Sequence, residues 1–175
     1  EMWIYWPEVV NNFAVHHQTG EKLSQSIIDS IAKSETFNQG HDTSSYLQAA
    51  ILDLALHEIP DGYLLDDVVE FERKAIENYG LTYSPVPPRY RATYFSHVFA
   101  GGYSAGYYGY IWSEILDADT VEWFKENGGL TRANGDHFRK ELLGRGGSID
   151  SMQMYRNFRG RDAEIAPLLK RRGLL

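Results

Sequence analysis

Apolar residues recur at helical spacing along most of the chain. In residues 43–57, apolar side chains repeat every three to four positions behind Thr43, a residue type that caps helix N-termini. A second stripe begins after Asp66 and ends at Gly80, a residue type that commonly closes a helix. No segment keeps the period-2 alternation of a strand for more than a few residues, so the pattern predicts an all-α fold. Further helices are predicted over residues 104–117, 119–127, 131–143, 149–157 and 162–171, the third behind Thr131 and the fifth behind Asp162.

A proline-rich segment interrupts the helical pattern. Residues 81–93, LTYSPVPPRYRAT, contain three prolines, and each proline fixes its own φ and disfavours helix in the residue before it. No repeat, low-complexity stretch or long linker accompanies this break. With 175 residues, the chain has the size of one domain or of a part of one, and we expect residues 1–175 to form a single part of a domain.

Charge and composition exclude several classes of protein. Seventeen Lys and Arg against 24 Asp and Glu give a net charge of -7, and no basic run could follow a phosphate backbone, so no nucleic acid is expected as a partner. The chain has no cysteine, which excludes disulfides, thiolate metal sites and thiol nucleophiles. No apolar run reaches the roughly 18 to 20 residues of a membrane-spanning helix, so no membrane is expected as a partner.

The first residues, EMWIYWPEVV, are largely apolar and lack a helix cap. This is typical of a chain that starts inside a helix, and we expect an upstream region of the same protein to be a partner of this chain. Trp3, Trp6 and Val9 would then form an exposed apolar patch through which the fragment could form a non-native dimer. We expect a cytoplasmic location, with the periplasm as the alternative.

The most unusual segment is HVFAGGYSAGYYGY at 97–110. Tyr103, Tyr107 and Tyr110 are spaced i, i+4 and i+7, which would place three phenols on one face of a helix. Four glycines within nine residues favour shape, motion or the close approach of a ligand over helix stability. An aromatic stripe of the core is the alternative, although three buried phenols would each need a hydrogen-bond partner.

The segment FSHVFAGGYSAGYYGYIWSEILDAD at 95–119 closely resembles the glycine- and tyrosine-rich loop and following helix of the thimet oligopeptidase family of zinc metallopeptidases. The resemblance implies that the chain is the multi-helical C-terminal part of a two-lobed, mostly helical peptidase catalytic domain. It extends over nearly the whole chain, through HHQTGE at 16–21, TFNQG at 36–40, YLQAAILDLALH at 46–57, PPRYR at 87–91 and MYRNFRGRDAEIAPLLKRRGL at 154–174.

The TFNQG and YLQAAILDLALH blocks look more like the peptidyl-dipeptidase branch of that family, which removes dipeptides from free C-termini, than like its endo-acting oligopeptidases. The resemblance thus implies the substrate-binding portion of a hydrolase that acts on oligopeptides. Two alternatives belong to other classes. One is a stand-alone helical peptide-binding module without catalysis, and the other is a helical structural domain whose tyrosines are only core residues.

The resemblance also implies a zinc cofactor, held in that family by the two histidines of a helical HExxH motif and by a glutamate of a following helix. In this sequence His57 begins HEIPD, which has no histidine one turn later, and Pro60 would end the helix, so we expect His57 to pack or to cap. His16 and His17 would point about 100° apart on a helix, and we expect structural or surface roles for them. No metal site is therefore expected in this chain, the zinc ligands are expected upstream, and the chain alone is expected to be inactive.

By resemblance, His97, Tyr103 and Tyr110 would line the cleft and donate hydrogen bonds to the peptide and to the oxyanion of the tetrahedral intermediate. A fixed donor stabilises the charge that develops in the transition state more than it stabilises the neutral ground state. Tyr107 would bind the substrate close by. The loop glycines Gly101 and Gly102 would also contact the substrate and let the donors move as the cleft closes.

An enzyme that releases C-terminal dipeptides also needs a cation for the terminal carboxylate, and the planar fork of arginine can bind both oxygens. We assign Arg89 and Arg91 to substrate binding. Spacing alone does not choose among the arginines, and pairing with acidic neighbours is the alternative for each. The full set of candidates is Arg89, Arg91, Arg156, Arg159 and Arg161.

Overall fold

A computed structural model describes residues 3–175 of the chain. Within this range the only β pairing is an isolated antiparallel bridge between Val15 and Lys22, so the predicted all-α fold is confirmed. A 3₁₀-helix forms at Ala92–Tyr94 and a π-helix at Arg139–Leu143. The α-helices are α1 Pro7–Val10, α2 Gln25–Ser34, α3 Gln39–His57, α4 Val68–Asn78, α5 Ser96–Phe99, α6 Gly109–Glu126, α7 Arg132–Phe138, α8 Ser151–Arg159 and α9 Ala166–Arg171.

The described chain divides into two compact units. The middle unit is Asn38–Trp112, and the terminal unit combines the chain up to Phe37 with Ser113–Leu175. Helix α6 starts in the middle unit and continues into the terminal unit. The candidate tyrosine and histidine residues all belong to the middle unit.

Side-chain caps fix where several helices begin. The Asp67 carboxylate accepts hydrogen bonds from the backbone N–H groups of Val69 and Glu70, so Asp67, and not Asp66, caps α4. The Thr131 hydroxyl accepts from the N–H of Asn134 and caps α7, as predicted. The π-helix continues α7 to Leu143, so the end predicted at residue 143 is also correct.

Other predicted helix boundaries are wrong. Helix α3 begins at Gln39 behind Asn38, whose φ of 57° lies in the left-handed region, and Thr43 is an interior residue. The helices predicted at 104–117 and 119–127 are one element, α6, which continues through Asp119, a buried carboxylate. The helix predicted behind Asp162 begins only at Ala166, and Asp162 instead accepts a hydrogen bond from Arg156.

The pattern left several helices unpredicted. Helices α2 and α5 and the 3₁₀-helix fall in segments where no helix was predicted, whereas α1 lies within the first ten residues, where the pattern indicated a helix. The helix expected through the first residues is wrong for residues 3–6, which form turns, while Glu1 and Met2 lie outside the described residues. Trp3 packs edge-on against Phe124 and Phe138, with ring centroids 5.3 and 6.3 Å away. The dimer expected through the first residues stays a prediction.

The core of the middle unit lies between α3 and the segment that follows the prolines. Its buried residues are Tyr46, Ala49, Ala50, Leu52, Phe95, Val98 and Tyr107. Four of the seven come from α3, and Tyr107 comes from the tyrosine segment itself. The core therefore fixes the tyrosine segment directly against α3.

The core of the terminal unit combines an aromatic cluster with one buried acid. Phe124, Tyr155 and Phe158 form the cluster. Beside it, the fully buried Asp119 accepts hydrogen bonds from Tyr155, Arg159 and Arg161, the last at 2.8 Å. Such a carboxylate is tolerated in a core because every lone pair finds a donor. None of the helices formed by residues 3–175 is both long enough and apolar enough to cross a membrane.

Candidate active site

His97 and Tyr110 lie at the centre of an aromatic cluster in the middle unit. The Nε2 of His97 is 2.8 Å from the hydroxyl of Tyr110, a hydrogen-bond distance. The Tyr103 ring stacks on the Tyr110 ring, with centroids 5.2 Å apart, and lies 4.7 Å from the His97 ring. Tyr103 and Tyr110 are 40% and 43% exposed, so both phenols reach solvent and are accessible to a ligand.

The three predicted tyrosines come together without forming one helical face. Only Tyr110 is helical, because α6 begins at Gly109 and residues 103–108 form turns. In these turns Ala105 has a φ of 53°, a left-handed conformation that L residues rarely adopt. The prediction that the spacing places the three phenols on a helix is therefore wrong, although the phenols are neighbours.

A buried acid on α3 holds these turns in place. Asp53 is fully buried, and its two carboxylate oxygens accept from the backbone N–H groups of Ala105 and Tyr107 at 3.0 and 2.9 Å. Hydrogen bonds to an ionised carboxylate are stronger than neutral ones. Asp53 therefore offsets the strain at Ala105 and fixes the backbone just before Tyr110.

Tyr107 forms the floor of the cluster. It is 4% exposed, stacks on Tyr46 at 5.3 Å, and lies 5.6 Å from His97 and 5.4 Å from Tyr110. The Tyr46 hydroxyl donates to the Tyr107 carbonyl at 2.8 Å and accepts from the N–H of Ile111 at 3.1 Å. Tyr107 is thus a buried residue of the core, whereas Tyr103 and Tyr110 are exposed.

The surroundings of the phenols keep them protonated. A hydrogen bond with the Tyr103 hydroxyl, together with partial burial, raises the pKa of Tyr110 to about 12. Burial also raises the pKa of Tyr107, and the neighbouring Arg89 guanidinium opposes that rise. Both hydroxyls therefore remain neutral hydrogen-bond donors at physiological pH.

Glycine is needed at positions 101 and 102 for two different structural reasons. At Gly101 a Cβ atom would lie 2.5 Å from the backbone oxygen of His97, closer than any side chain can approach. Gly102 has a φ of 77°, where glycine alone is free of strain. The turn that connects His97 to Tyr103 thus requires glycine at both positions.

The two arginines assigned to the substrate differ in their partners. Arg91 forms an ion pair with Glu72, a carboxylate that is almost fully buried and also accepts from the N–H of Ala92 at 2.7 Å. Arg89 is exposed, and its guanidinium contacts the Tyr107 hydroxyl. Arg91 is therefore occupied by a structural pair, whereas Arg89 adjoins the aromatic cluster.

The histidines outside the cluster make local contacts. The Nδ1 of His57 lies 2.8 Å from the backbone oxygen of Asp53 and 2.9 Å from its carboxylate, in keeping with a packing role. His16 accepts from the N–H of Thr19 in an exposed turn. No group of three or more His, Asp or Glu side chains within residues 3–175 is arranged to hold a metal ion. The described residues alone do not fit the zinc site that the resemblance implies.

Three residues that shape the cluster were missed in the sequence. Asp53 and Tyr46 lie in the predicted α3 stripe, and Tyr90 lies beside the prolines, where its ring stacks on Phe95 at 4.8 Å. The sequence did carry a signal for Asp53, because this acid lies inside the apolar run ILDLAL. A charged side chain buried in such a run needs specific hydrogen-bond donors. Tyr46 and Tyr90 carried no comparable signal.

Comparison with known proteins agrees with the resemblance. Dipeptidyl carboxypeptidase of Salmonella typhimurium is 42% identical over 174 residues, which cover 99% of this chain and 26% of that protein. The Escherichia coli protein of the same name is 40% identical over the same shares. Oligopeptidase A of Haemophilus influenzae is 32% identical over 100% of this chain and 26% of its own length. The chain therefore spans about a quarter of the length of these relatives.

The family match covers almost every residue. The model of Peptidase family M3 matches residues 1–174, which include the His97–Tyr110 segment, the prolines and the terminal unit. The resemblance deduced from separate sequence blocks is thereby confirmed, and the chain belongs to peptidase family M3.

Proposed function

We propose that the intact protein containing this chain hydrolyses oligopeptides and releases dipeptides from their C-termini, and that this chain supplies hydrogen-bond donors for the peptide. The observation that carries the proposal is the 2.8 Å contact between His97 and Tyr110, with Tyr103 stacked alongside, on an exposed rim above a buried floor. Family membership supports peptide hydrolysis as the reaction. Neutral O–H and N–H donors beside a buried floor are what the developing charge of that reaction needs.

The donors act by stabilising charge on oxygen. When a nucleophile adds to a peptide carbonyl, its oxygen gains negative charge, which a fixed O–H or N–H stabilises more than it stabilises the neutral carbonyl. If the Nε2 of His97 carries a proton, it donates to the Tyr110 oxygen, and the Tyr110 hydroxyl hydrogen would turn from the Tyr103 hydroxyl to the substrate when the peptide binds. His97 would then position Tyr110, and Tyr103 would contact the adjacent part of the peptide.

The zinc cofactor typical of the family is proposed to be held outside this chain. Because the HExxH motif that holds zinc in the family is not in this 175-residue sequence, we assign the zinc ligands to an upstream region of the same protein. The role proposed for this chain is then to bind and orient the peptide and to stabilise the oxyanion. This also accounts for the expectation that the chain alone is inactive.

The names of the relatives favour the dipeptide-releasing branch. The two relatives at 42% and 40% identity are called dipeptidyl carboxypeptidases, whereas the oligopeptidase A is at 32%. An endo-acting oligopeptidase is the second candidate, since that relative also aligns over the whole chain. Mass spectrometry of the products separates the two, because C-terminal dipeptides support the first and internal fragments support the second.

The role of Tyr110 is tested by Tyr110→Phe in the intact protein. Loss of one such donor typically lowers kcat by about 100- to 1,000-fold, while KM should change little because the donor acts mainly in the transition state. Tyr108→Phe is the matched control, since Tyr108 is an exposed tyrosine of the same segment and has no proposed role. An unchanged kcat in Tyr110→Phe would remove the oxyanion role.

A further inference from the structure

We infer that Arg89 binds the free C-terminal carboxylate of the substrate and thereby selects peptides by their chain end. This inference rests on the proposed function, since it assigns the residue that would position a peptide for release of a C-terminal dipeptide. The inference is drawn from the ion pairs of the arginines, the position of Arg89 and the size of a dipeptide.

Ion pairing distinguishes Arg89 from the other candidates. Among the described residues 3–175, Arg89 is the candidate arginine whose guanidinium contacts no carboxylate. The other four candidates each pair with an acid: Arg91 with Glu72, Arg156 with Asp162, and Arg159 and Arg161 with Asp119. A guanidinium that already satisfies a carboxylate of the fold would have to break that pair to bind a substrate.

The backbone around Arg89 is rigid. Prolines 87 and 88 precede it, its N–H donates to the Ser45 carbonyl at 3.3 Å, and the Ser45 hydroxyl donates to the Pro87 carbonyl at 3.0 Å. The next residue, Tyr90, stacks on the buried Phe95 and lies 6.3 Å from the His97 ring. Arg89 is thus exposed on a backbone that is fixed to α3 and to the aromatic cluster.

The Tyr107 side chain, which engages the Arg89 guanidinium, leaves its charge intact. Arg89 contacts the hydroxyl of Tyr107, a phenol whose pKa is raised by burial and which is therefore neutral. A guanidinium has five N–H donors, so a single phenol partner leaves the pair of parallel donors that a carboxylate binds. The site therefore offers an uncompensated positive charge in the geometry that recognises a carboxylate.

Tyr107 connects Arg89 to the donor pair. Its hydroxyl contacts the Arg89 guanidinium, and its ring lies 5.4 Å from the Tyr110 ring and 5.6 Å from the His97 ring. Two residues in extended conformation span about 7 Å. In this inference a carboxylate on Arg89 places the carbonyl two residues earlier near Tyr110, where the proposed oxyanion forms.

The test compares a peptide that has a free C-terminus with the same peptide amidated, using the intact protein. For the free acid, Arg89→Gln should lower kcat/KM by roughly 10- to 100-fold, the value of a hydrogen-bonded charge. For the amide, wild type should already be slower by a similar factor, and Arg89→Gln should change little. Arg89→Lys should be intermediate on the acid, because it keeps the charge but loses the fork.

Arg73→Gln is the matched control, since Arg73 is exposed on α4 of the same unit and pairs only with Glu70 and Glu77. It should leave both peptides unaffected. An equal loss on acid and amide, or no loss on either, with unchanged circular dichroism, would overturn the assignment of Arg89.

Binding of a product dipeptide by calorimetry separates this inference from the proposed function. The free-acid dipeptide should bind wild type more tightly than its amide does, and Arg89→Gln should abolish the difference. If wild type cleaves neither peptide, the proposed function fails, and dipeptide binding alone decides on Arg89. If peptides are cleaved, but dipeptide affinity changes neither with Arg89→Gln nor with amidation of the dipeptide, the inference fails and the proposed function stands.

Discussion

The carboxylate of Asp53 accepts a hydrogen bond from the backbone N–H of Tyr107 at 2.9 Å, with both groups buried. Its other oxygen accepts from the N–H of Ala105 at 3.0 Å, so one acid on α3 ties down two of the three residues before Tyr108. The turn with the left-handed Ala105 depends on this acid, because no regular helix supplies those backbone groups with partners. Asp53 therefore positions the turns before Tyr110 from within the core.

Asp53→Asn should impair both stability and activity. The amide nitrogen that replaces one oxygen is a donor, so it cannot accept from the backbone N–H that the oxygen served, and a buried donor is left unsatisfied. We expect a loss of about 1–3 kcal/mol in the free energy of unfolding. We also expect a lower kcat in the intact protein, since Tyr110 follows the displaced turn.

The matched control is Asp42→Asn on the same helix, where the carboxylate is exposed. This substitution should lower the free energy of unfolding by less than about 1 kcal/mol. Urea unfolding followed by fluorescence and steady-state kinetics measure the two effects. If Asp53→Asn unfolds and turns over like Asp42→Asn, the positioning role of Asp53 is wrong.

The sequence predicted the all-α fold class and the candidate site segment at residues 97–110, because both depend on local signals. Apolar periodicity and a cap such as Thr131 report on neighbours within one or two turns. The set of His97, Tyr103 and Tyr110 was found because an unusual density of glycine and tyrosine is visible without knowing the fold. That these side chains meet is seen in the structure, while their roles remain proposals.

The parts that sequence missed depend on distant partners. The tyrosine segment is not a helix because Asp53, about fifty residues earlier, binds its backbone. Helix α6 continues through Asp119 because arginines some forty residues later satisfy that carboxylate. Likewise, the contacts of Arg91 with Glu72 and of Arg89 with Tyr107 distinguish the two arginines. Spacing along one chain segment carries no information on such pairings.

Gly101→Ala should disturb the site through a steric clash. The added Cβ would meet the His97 carbonyl at 2.5 Å, a backbone atom that can move only if α5 or the following turn shifts. We expect a destabilisation of about 1–3 kcal/mol and a lower kcat in the intact protein, because His97 and Tyr103 flank the clash.

Gly109→Ala is the control for this change, since a Cβ at Gly109 meets open space at the start of α6. Alanine there should be neutral or stabilising by up to about 1 kcal/mol. Thermal unfolding and kinetics of both variants provide the comparison. Equal behaviour of the two variants would contradict the close approach at Gly101.

Asp119→Asn should destabilise the terminal unit strongly at neutral pH. Arg159 and Arg161 would lose the buried charge that they share, and removal of one partner of a buried pair typically costs about 3–5 kcal/mol. Asp117→Asn is the control, because Asp117 is exposed on the same helix and lies 3.4 Å from Arg171. Its loss should stay below about 1 kcal/mol. Urea unfolding followed by tryptophan fluorescence reports mainly on this unit, because Trp3, Trp6 and Trp123 belong to it and Trp112 belongs to the middle unit.

The cost of Asp119→Asn should also depend on pH, with a sign fixed by the pKa of the carboxyl. Burial alone would raise the pKa of Asp119, but hydrogen bonds from Arg161, Arg159 and Tyr155 outweigh burial and hold it below its usual value.

A group whose pKa is lowered on folding contributes stability that is complete above its unfolded pKa, about 3.9 for Asp, and is lost as pH falls through the folded pKa. The difference in unfolding free energy between wild type and Asp119→Asn should therefore be constant from neutral pH to about pH 5 and should shrink below about pH 4. The carboxyls of Asp136 and Glu141, whose pKa values are also lowered, are present in both proteins and cancel in the difference. A difference that stayed constant down to about pH 3, or grew, would mean that the native Asp119 is not held as the charged partner of the two arginines.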